Sequence, residues 1–351
     1  MSDARPAVTN LQLAELEQLL AASGERPFRA RQLVKWVYGK GATGFDRMTD
    51  LAAPLRESLP KLLRLRSTEI AENRLSADGT RKLLLRLSGG DAIETVLIPE
   101  GDRRTLCIST QAGCPVGCVF CASGIGGLSR NLTQGEIVEQ ILQMRAAAEG
   151  EPLTNIVLMG IGEPLLNYDA VTRALRVMRA PWGFNFGYNK ITLSTVGIVD
   201  KIHRLLEDGV TPNLAISLHA PNDDLRRRLI PNVRKWSMTE LIQAGVIYRD
   251  KARKDVTFEY VLLEGINDDP AHAAQLGKLL AGQRIKVNVI PFNRVREFSY
   301  HPPSKERLDK FVRALGSFKV FTSVRKRRGD SIDAACGQLR LTSRLSQVVN
   351  P

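Results

Sequence analysis

The chain has 351 residues, 43% of them hydrophobic and 25% charged, enough to bury a large core as one sizeable domain plus a smaller one. No stretch approaches the roughly 18 uninterrupted apolar residues of a membrane helix, and the N-terminal MSDARPAVTN lacks a signal-peptide run, so a soluble, monomeric cytoplasmic protein without a membrane partner is expected. Lys and Arg number 50 against 37 Asp and Glu, a net charge of +13 that points to a polyanionic partner such as nucleic acid, with a plainly charged soluble surface as the alternative.

In chain order, the first sixty or so residues read as helices, LAELEQLLAA, RARQLVKWVYGK and LAAPLRESLPKLLRL, with Gly and Pro between them. This is a small basic domain. From about residue 67 to 100 the period becomes two, and SGGD in RKLLLRLSGGDAIETVLI marks a hairpin turn. From residue 105 strand-like runs alternate with amphipathic helices: TLCIST, helix 133–148, NIVLMG, helix 169–179, KITLST, helix 200–207, NLAISL, helix 238–250, VTFEYVLL, helix 270–281, IKVNVI and helix 305–315. Thr133 and Glu136 form a capping box, with Ile137, Ile141 and Met144 as the apolar stripe behind it. Six β-α units imply parallel strands with outer helices, and six rather than eight imply an incomplete, open barrel. Basic residues recur at Arg26–Lys40, Lys61–Arg66, Arg226–Arg228 and Arg325–Arg328.

Polar residues collect where the proposed strands end, which in a β/α barrel is the active rim. Gly162 and Glu163 follow the second strand, Ser194 the third, Ser217 and His219 the fourth, and Asn293 the sixth. After the first comes CPVGCVFC, placing Cys114, Cys118 and Cys121 in a C-x3-C-x2-C loop. In a reducing compartment such a cluster reads as metal or redox chemistry rather than as a structural disulfide. Three thiolates can hold three irons of a 4Fe-4S cubane and leave the fourth iron open, whereas a structural zinc needs four protein ligands. Cys107, seven residues before Cys114, could supply that fourth ligand, although it falls inside the strand-like TLCIST.

CPVGCVFC after a first strand and IGEP after the second resemble the radical S-adenosylmethionine (SAM) enzymes, in which SAM chelates the open iron. The ordered set TLCISTQAGC, RNLTQGEI, MGIGEPLLN, ITLSTVGI, AISLHAPND, NVIPFN and RKRRGDSIDAACGQL, from about residue 10 to residue 340, is similar to the RlmN family of adenine-C2 RNA methyltransferases. The resemblance implies an α/β fold, a partial (β/α)6 radical-SAM barrel with a small N-terminal helical domain and a β-hairpin extension. It divides the chain into a basic RNA-binding accessory domain at 1–66, the β-hairpin extension at 67–102, the barrel at 103–328 and a C-terminal loop at 329–351.

Carbon 2 of adenine is electron-poor and will not attack the methyl of SAM directly. The family resemblance implies a radical route that uses one 4Fe-4S cluster on Cys114, Cys118 and Cys121 and two SAM per turnover. One SAM methylates Cys336; the second yields a radical that takes hydrogen from that methyl, and the carbon radical adds to C2. Cys107 then helps remove the C2 proton and closes a disulfide with Cys336. The resemblance also makes Gly162, Glu163, Ser194, Ser217, Leu218, His219 and Asn293 SAM contacts and Glu94 a base or substrate contact, and it implies Phe120 packing beside the cluster. From the residues alone, Cys336 and Cys107 are equally small buried hydrophobes, Glu94 an exposed strand carboxylate, and Trp36, Trp182 and Trp236 core side chains rather than base-stacking ones. Implied partners are ribosomal RNA, transfer RNA, and a flavodoxin or ferredoxin as electron donor, with the helical N-terminal domain and the Arg325–Arg328 run expected to hold RNA phosphates by counterion release.

Pro164 and AISLHAPND favour RlmN over the sister Cfr family, which methylates adenine C8. Asn293-Arg294 departs from the Asn-Pro frequent in relatives. The non-enzyme alternative is a basic RNA-binding protein with a structural zinc in the cysteine loop.

Overall fold

The computed structural model describes residues 5–149, 151–233, 235–325, 329, 332–340 and 342–343; Lys326, Arg327 and Arg328 of the last basic run, and residues 344–351 of the C-terminal loop, lie outside them. The N-terminal part folds as α1 (Leu13–Ala22), α2 (Phe28–Val34), which continues through a π turn at Lys35–Gly39, and α3 (Ala53–Leu62). Gln12 and Glu15 cap α1, the Gln12 N–H donating to Glu15 Oε2 at 2.7 Å. Pro54 sits in the first turn of α3, where a missing N–H costs nothing. Leu16, Leu20, Leu33, Leu55 and Leu59 bury the shared face.

Three antiparallel strands follow, β1 (Glu69–Leu75), β2 (Arg81–Arg86) and β3 (Asp91–Glu100), and β3 pairs antiparallel with β4 (Arg103–Cys107). The extension is therefore a three-stranded addition to the barrel sheet rather than a hairpin. β1 escapes a period-two reading because it is a polar edge strand with both faces open, Leu75 being 60% exposed. The SGGD turn falls between β2 and β3, with Gly89 and Gly90 at φ +105° and +97°.

After β4 come a small hairpin of β5 (Gln111–Gly113) and β6 (Leu128–Asn131), then α4 (Gln134–Ala147), β7 (Asn155–Leu158), α5 (Tyr168–Arg179), β8 (Ile191–Thr195), α6 (Val199–Glu207) and β9 (Asn213–Ser217). The chain continues through α7 (Asp223–Leu229), α8 (Met238–Ala252), β10 (Val256–Leu262), α9 (Pro270–Leu280), β11 (Lys286–Pro291), α10 (Lys305–Gly316), β12 (Thr322–Val324) and β13 (Thr342–Ser343). The sheet order is β1-β2-β3-β4-β7-β8-β9-β10-β11-β12, parallel from β4 onward, with β13 antiparallel on β3. This is an open α/β barrel of six β-α units closed by the three-residue β12, which is too short to show a period.

Helix α4 joins the parts. Its capping box forms as expected: Glu136 N–H donates to Thr133 Oγ1 at 3.2 Å and Thr133 N–H to Glu136 Oε2 at 2.9 Å, while Ile137, Ile141 and Met144 are fully buried. Its polar face is buried too, because it receives the N-terminal segments. Glu139 accepts from the N–H groups of Ser67 and Thr68, Gln134 donates to Thr9 O at 2.9 Å, and Gln143 donates to Thr68 O at 2.7 Å. Gln140 clamps Ser109 at the end of the first barrel strand, accepting its N–H at 2.7 Å and donating to its carbonyl at 2.8 Å.

Candidate active site

The cysteine loop leaves β5 and returns through β6. Gly113, at φ +80°, lets these two backbones close, since a Cβ there would lie 2.1 Å from Gly127 O. Cys114 N–H donates to Gly127 O at 3.0 Å on one side of the loop. On the other, the region of α7 supports it: Val119 N–H donates to Leu229 O at 3.1 Å and Asn232 Nδ2 to Pro115 O at 3.0 Å. Helix α7 itself, hidden in APNDDLRRRL, starts where Asn222 Oδ1 accepts from Leu225 N–H at 3.0 Å.

All three cysteines open onto one cavity of about 140 Å³ at the carboxyl ends of the strands. Gly162, Glu163, Ser194, Ser217, His219 and Asn293 line it, as do Phe120 and Cys336. The family-derived contacts therefore converge, with one exception: Leu218 is fully buried in the strand layer and its N–H pairs with Glu259 O at 3.0 Å. Gly162 is held at φ +113°, where a Cβ would lie 2.8 Å from Gln111 N. Glu163 is buried and accepts the Val196 N–H at 2.7 Å and the Leu165 N–H at 2.9 Å; burial still pushes its carboxyl up to about 7. Phe120 meets His219 edge-on, centroids 5.1 Å apart. His219 accepts the Val261 N–H at Nδ1, 3.0 Å away, and burial together with the nearby Arg226 charge pushes it down to about 3, so it is a neutral imidazole carrying its proton on Nε2.

Cys336 is exposed at the mouth of this cavity, and its segment is tied down from three directions. From the cysteine loop, Ala122 N–H donates to Gly337 O at 2.8 Å and Ser123 Oγ to Leu339 O at 2.7 Å. From the rim, Asn293 Nδ2 donates to Cys336 O at 3.0 Å, and Gln338 Nε2 reaches Arg294 O at 2.8 Å. From the extension, Glu94 Oε2 accepts the Arg340 N–H at 3.0 Å while Glu94 Oε1 pairs with Lys82 at 2.8 Å, and Lys82 also donates to Asp333 O at 3.2 Å. Glu94 is thus a buried clasp rather than an exposed strand carboxylate. Cys107 lies in β4, 8% exposed, and does not line the cavity or join the other three cysteines. Burial first, then the neighbouring Cys336, pushes its thiol up to about 12; Arg325 and the Met159 N–H act in the opposite sense.

Two arginines of the basic runs point inward. Arg325 lines the cavity beside Cys336, its Nη1 3.8 Å from Met159 Sδ, rather than facing RNA phosphates. Arg226 is 3% exposed, donates to Val196 O and Ser217 O, and leaves its buried Nε without a partner among the described residues. A single basic letter in a charged run carries no sign of such burial. Trp36 pairs with Asp50 and Lys40, Trp182 with Tyr38, and Trp236 with Lys235.

The donor set fits a polynuclear cluster. Three thiols share one cavity with a buried guanidinium nearby to offset anionic charge. Burial raises all three thiols, so metallation must displace their protons.

The chain is similar to known proteins in sequence and in structure. The radical SAM superfamily matches residues 108–276 and the ribosomal RNA large subunit methyltransferase N-terminal domain matches residues 7–65. The chain is 47% identical over 340 residues to the probable dual-specificity RNA methyltransferase RlmN of Symbiobacterium thermophilum, covering 96% of this chain and 91% of the relative. It is 42% identical over 334 residues to the dual-specificity RNA methyltransferase RlmN of Alcanivorax borkumensis, covering 93% and 87%. The crystal structure of a radical SAM methyltransferase from Sphaerobacter thermophilus superposes with a TM-score of 0.91 at 46% identity, covering 95% of this chain and 98% of that one.

Proposed function

Because the chain belongs to the RlmN family of radical SAM RNA methyltransferases, we propose that it methylates carbon 2 of adenosine in 23S ribosomal RNA and in transfer RNA through a methyl group carried on Cys336. The observation that carries this reading is the meeting of Cys336, from the far C-terminus, with the three cysteines of the loop on one cavity, Cys107 lying in the adjoining strand.

Cys114, Cys118 and Cys121 would hold a 4Fe-4S cluster and leave one iron to SAM, which together supply reductive one-electron chemistry at the cavity. The chain's own residues do the rest. Gly162, packed against Gln111 in a conformation that favours glycine, sets the course of the chain along the cofactor side of the cavity, and the buried Glu163 fixes the strand ends there through the Val196 and Leu165 amides. Neutral His219 and Phe120 wall the cavity with a dry edge-to-face pair, limiting solvent at the reacting atoms. Cys336 Sγ is the nucleophile that receives the methyl, with its carbonyl held by Asn293. Cys107, kept as a thiol by burial, waits within electrostatic reach of Cys336 and resolves the covalent protein–RNA adduct by closing a disulfide.

A Cys107→Ala protein, reconstituted anaerobically and given SAM, reductant and RNA, accumulates covalently bound RNA that wild type releases. Normal turnover by that variant contradicts the resolving role. Mass spectrometry of the digested product reads 2-methyladenosine; 8-methyladenosine would assign Cfr-type regiochemistry instead.

A further inference from the structure

Beyond β11 the chain leaves the barrel rim as a loop that borders an open groove of about 480 Å³, separate from the cysteine site. Arg294, Arg296, Phe298, Tyr300, His301 and Asp333 surround it. We propose that this groove is the subsite for an RNA nucleotide adjoining the target adenosine, its phosphate held by Arg294 and Arg296 and its base stacked on Tyr300; the inference rests on the RNA methyltransferase reading.

Three observations converge. Arg294 and Arg296 are exposed and make no ion pair among the described residues, although the loop does pair charges where a carboxylate is to hand, Glu297 meeting Arg340 at 2.6 Å. Two unpaired guanidiniums on one short loop offer planar, bidentate donors to phosphate. Next to them a half-buried aromatic platform is already built: the Tyr300 ring lies 6.3 Å from Phe298 and 6.2 Å from Phe292, the latter edge-on at 89°, so its orientation is set before a base arrives. The groove is also joined to the reactive thiol. Asn293 holds Cys336 O at 3.0 Å and Gln338 holds Arg294 O at 2.8 Å, so groove and nucleophile belong to one hydrogen-bonded unit. Asp333, the one carboxylate among the described residues around the groove, comes from the Cys336 segment and opposes a second phosphate, but it suits the exocyclic amine of a stacked base as an acceptor. RNA is recognised sequence-specifically by this combination of splayed bases, aromatic faces and Arg contacts. The Asn293-Arg294 departure from Asn-Pro gains a purpose, since it puts a guanidinium at the rim.

The test uses the full-length protein and a fluorescein-labelled RNA hairpin with an adenosine-rich loop, with binding followed by anisotropy across a salt series. An R294E/R296E protein should bind about tenfold or more weakly and show a slope of log Kd against log salt smaller by about 1–2. Tyr300→Leu keeps apolar volume and should lose about tenfold with little change of slope, since it removes stacking and not charge. A K251E/K278E protein changes net charge equally, at exposed residues toward the C-terminal ends of α8 and α9, the end of the barrel away from the rim, and should lose much less. Equal weakening by the two double variants overturns the subsite, because net charge then explains everything; so does wild-type affinity in Tyr300→Leu. Should Tyr300→Leu fail to fold, the exposed arginine variants still decide. Wild-type protein that ignores the RNA altogether overturns the RNA methyltransferase reading as well, which separates the two failures.

Discussion

Glu94→Gln replaces the carboxylate that ties the extension to the Cys336 segment with a neutral isostere. The Lys82–Glu94 pair is 2.8 Å long, and its side chains are only 9% and 11% exposed, so solvent screens it little. Removing one charge of a buried pair strands the other, at a cost of about 3–5 kcal/mol. Lys82 keeps its bond to Asp333 O and the Gln carbonyl can still accept the Arg340 N–H, so the lower end, about 3 kcal/mol, applies. If the segment relieves the strain by opening, its opening equilibrium rises by roughly 100-fold, since about 1.4 kcal/mol is a factor of ten. Hydrogen exchange in the metal-free protein reads this at the amides of Ala335, Gln338 and Arg340, all of which donate hydrogen bonds in the closed segment. The exchange should accelerate in Glu94→Gln, and a Lys82→Met/Glu94→Leu protein, which has no buried charge left over, should recover much of the protection at Ala335 and Gln338, whose bonds do not involve Glu94. Exchange within about twofold of wild type in Glu94→Gln, at unchanged global stability, would refute the clasp.

Two further outcomes follow from the cavity walls. Burial and the nearby Arg226 charge push His219 down to about 3 in the fold from about 6.5 unfolded, so its neutral form contributes stability that is present above 6.5 and lost as pH falls toward 3; wild type should therefore lose about 2 kcal/mol between pH 7 and 5 that His219→Asn, compatible with φ +57°, does not lose, as measured by urea unfolding. Gly162→Ala combines φ +113° with a 2.8 Å approach to Gln111 N, so it should cost about 1–3 kcal/mol in thermal unfolding and sharply weaken equilibrium SAM binding to the reconstituted protein; wild-type affinity would show that the close approach of backbone is not needed.

Local signals carried far in this sequence. The Thr133–Glu136 box, the SGGD turn and the alternation of strands with helices are written within a few residues of where they act, and each appears in the fold. The cysteine loop was legible for the same reason, since its three thiols come from eight consecutive residues. Contacts between distant residues were not. Arg340 meets Glu94 across 246 positions, and no property of either residue announces it. Arg226 and Arg325 looked like members of basic runs because sequence records charge and not direction; only the packing of α7 and the end of β12 turns them inward. Leu218 was grouped with its neighbours Ser217 and His219, yet just past the end of β9 the backbone turns, His219 sitting at φ +57°, and Leu218 packs into the core while they line the cavity.

The three-stranded extension gains a role from this geometry that a sheet edge alone would not need. β3 carries Glu94 into the clasp, pairs with β4 beside Cys107, and takes β13 as an antiparallel neighbour, so the strand that joins the extension to the barrel also anchors the chain after Cys336, while Lys82 of β2 holds Asp333 O before it. The register places Val96 opposite Cys107, two residues beyond Glu94 and so on the same face of β3. A shift of β3 by one residue would turn Glu94 to the other face and leave Lys82, Arg340 and the segment without their anchor. The placement of Cys107 and of the segment that carries Cys336 therefore depends on strand pairing laid down in the extension, well before the cysteine loop is reached.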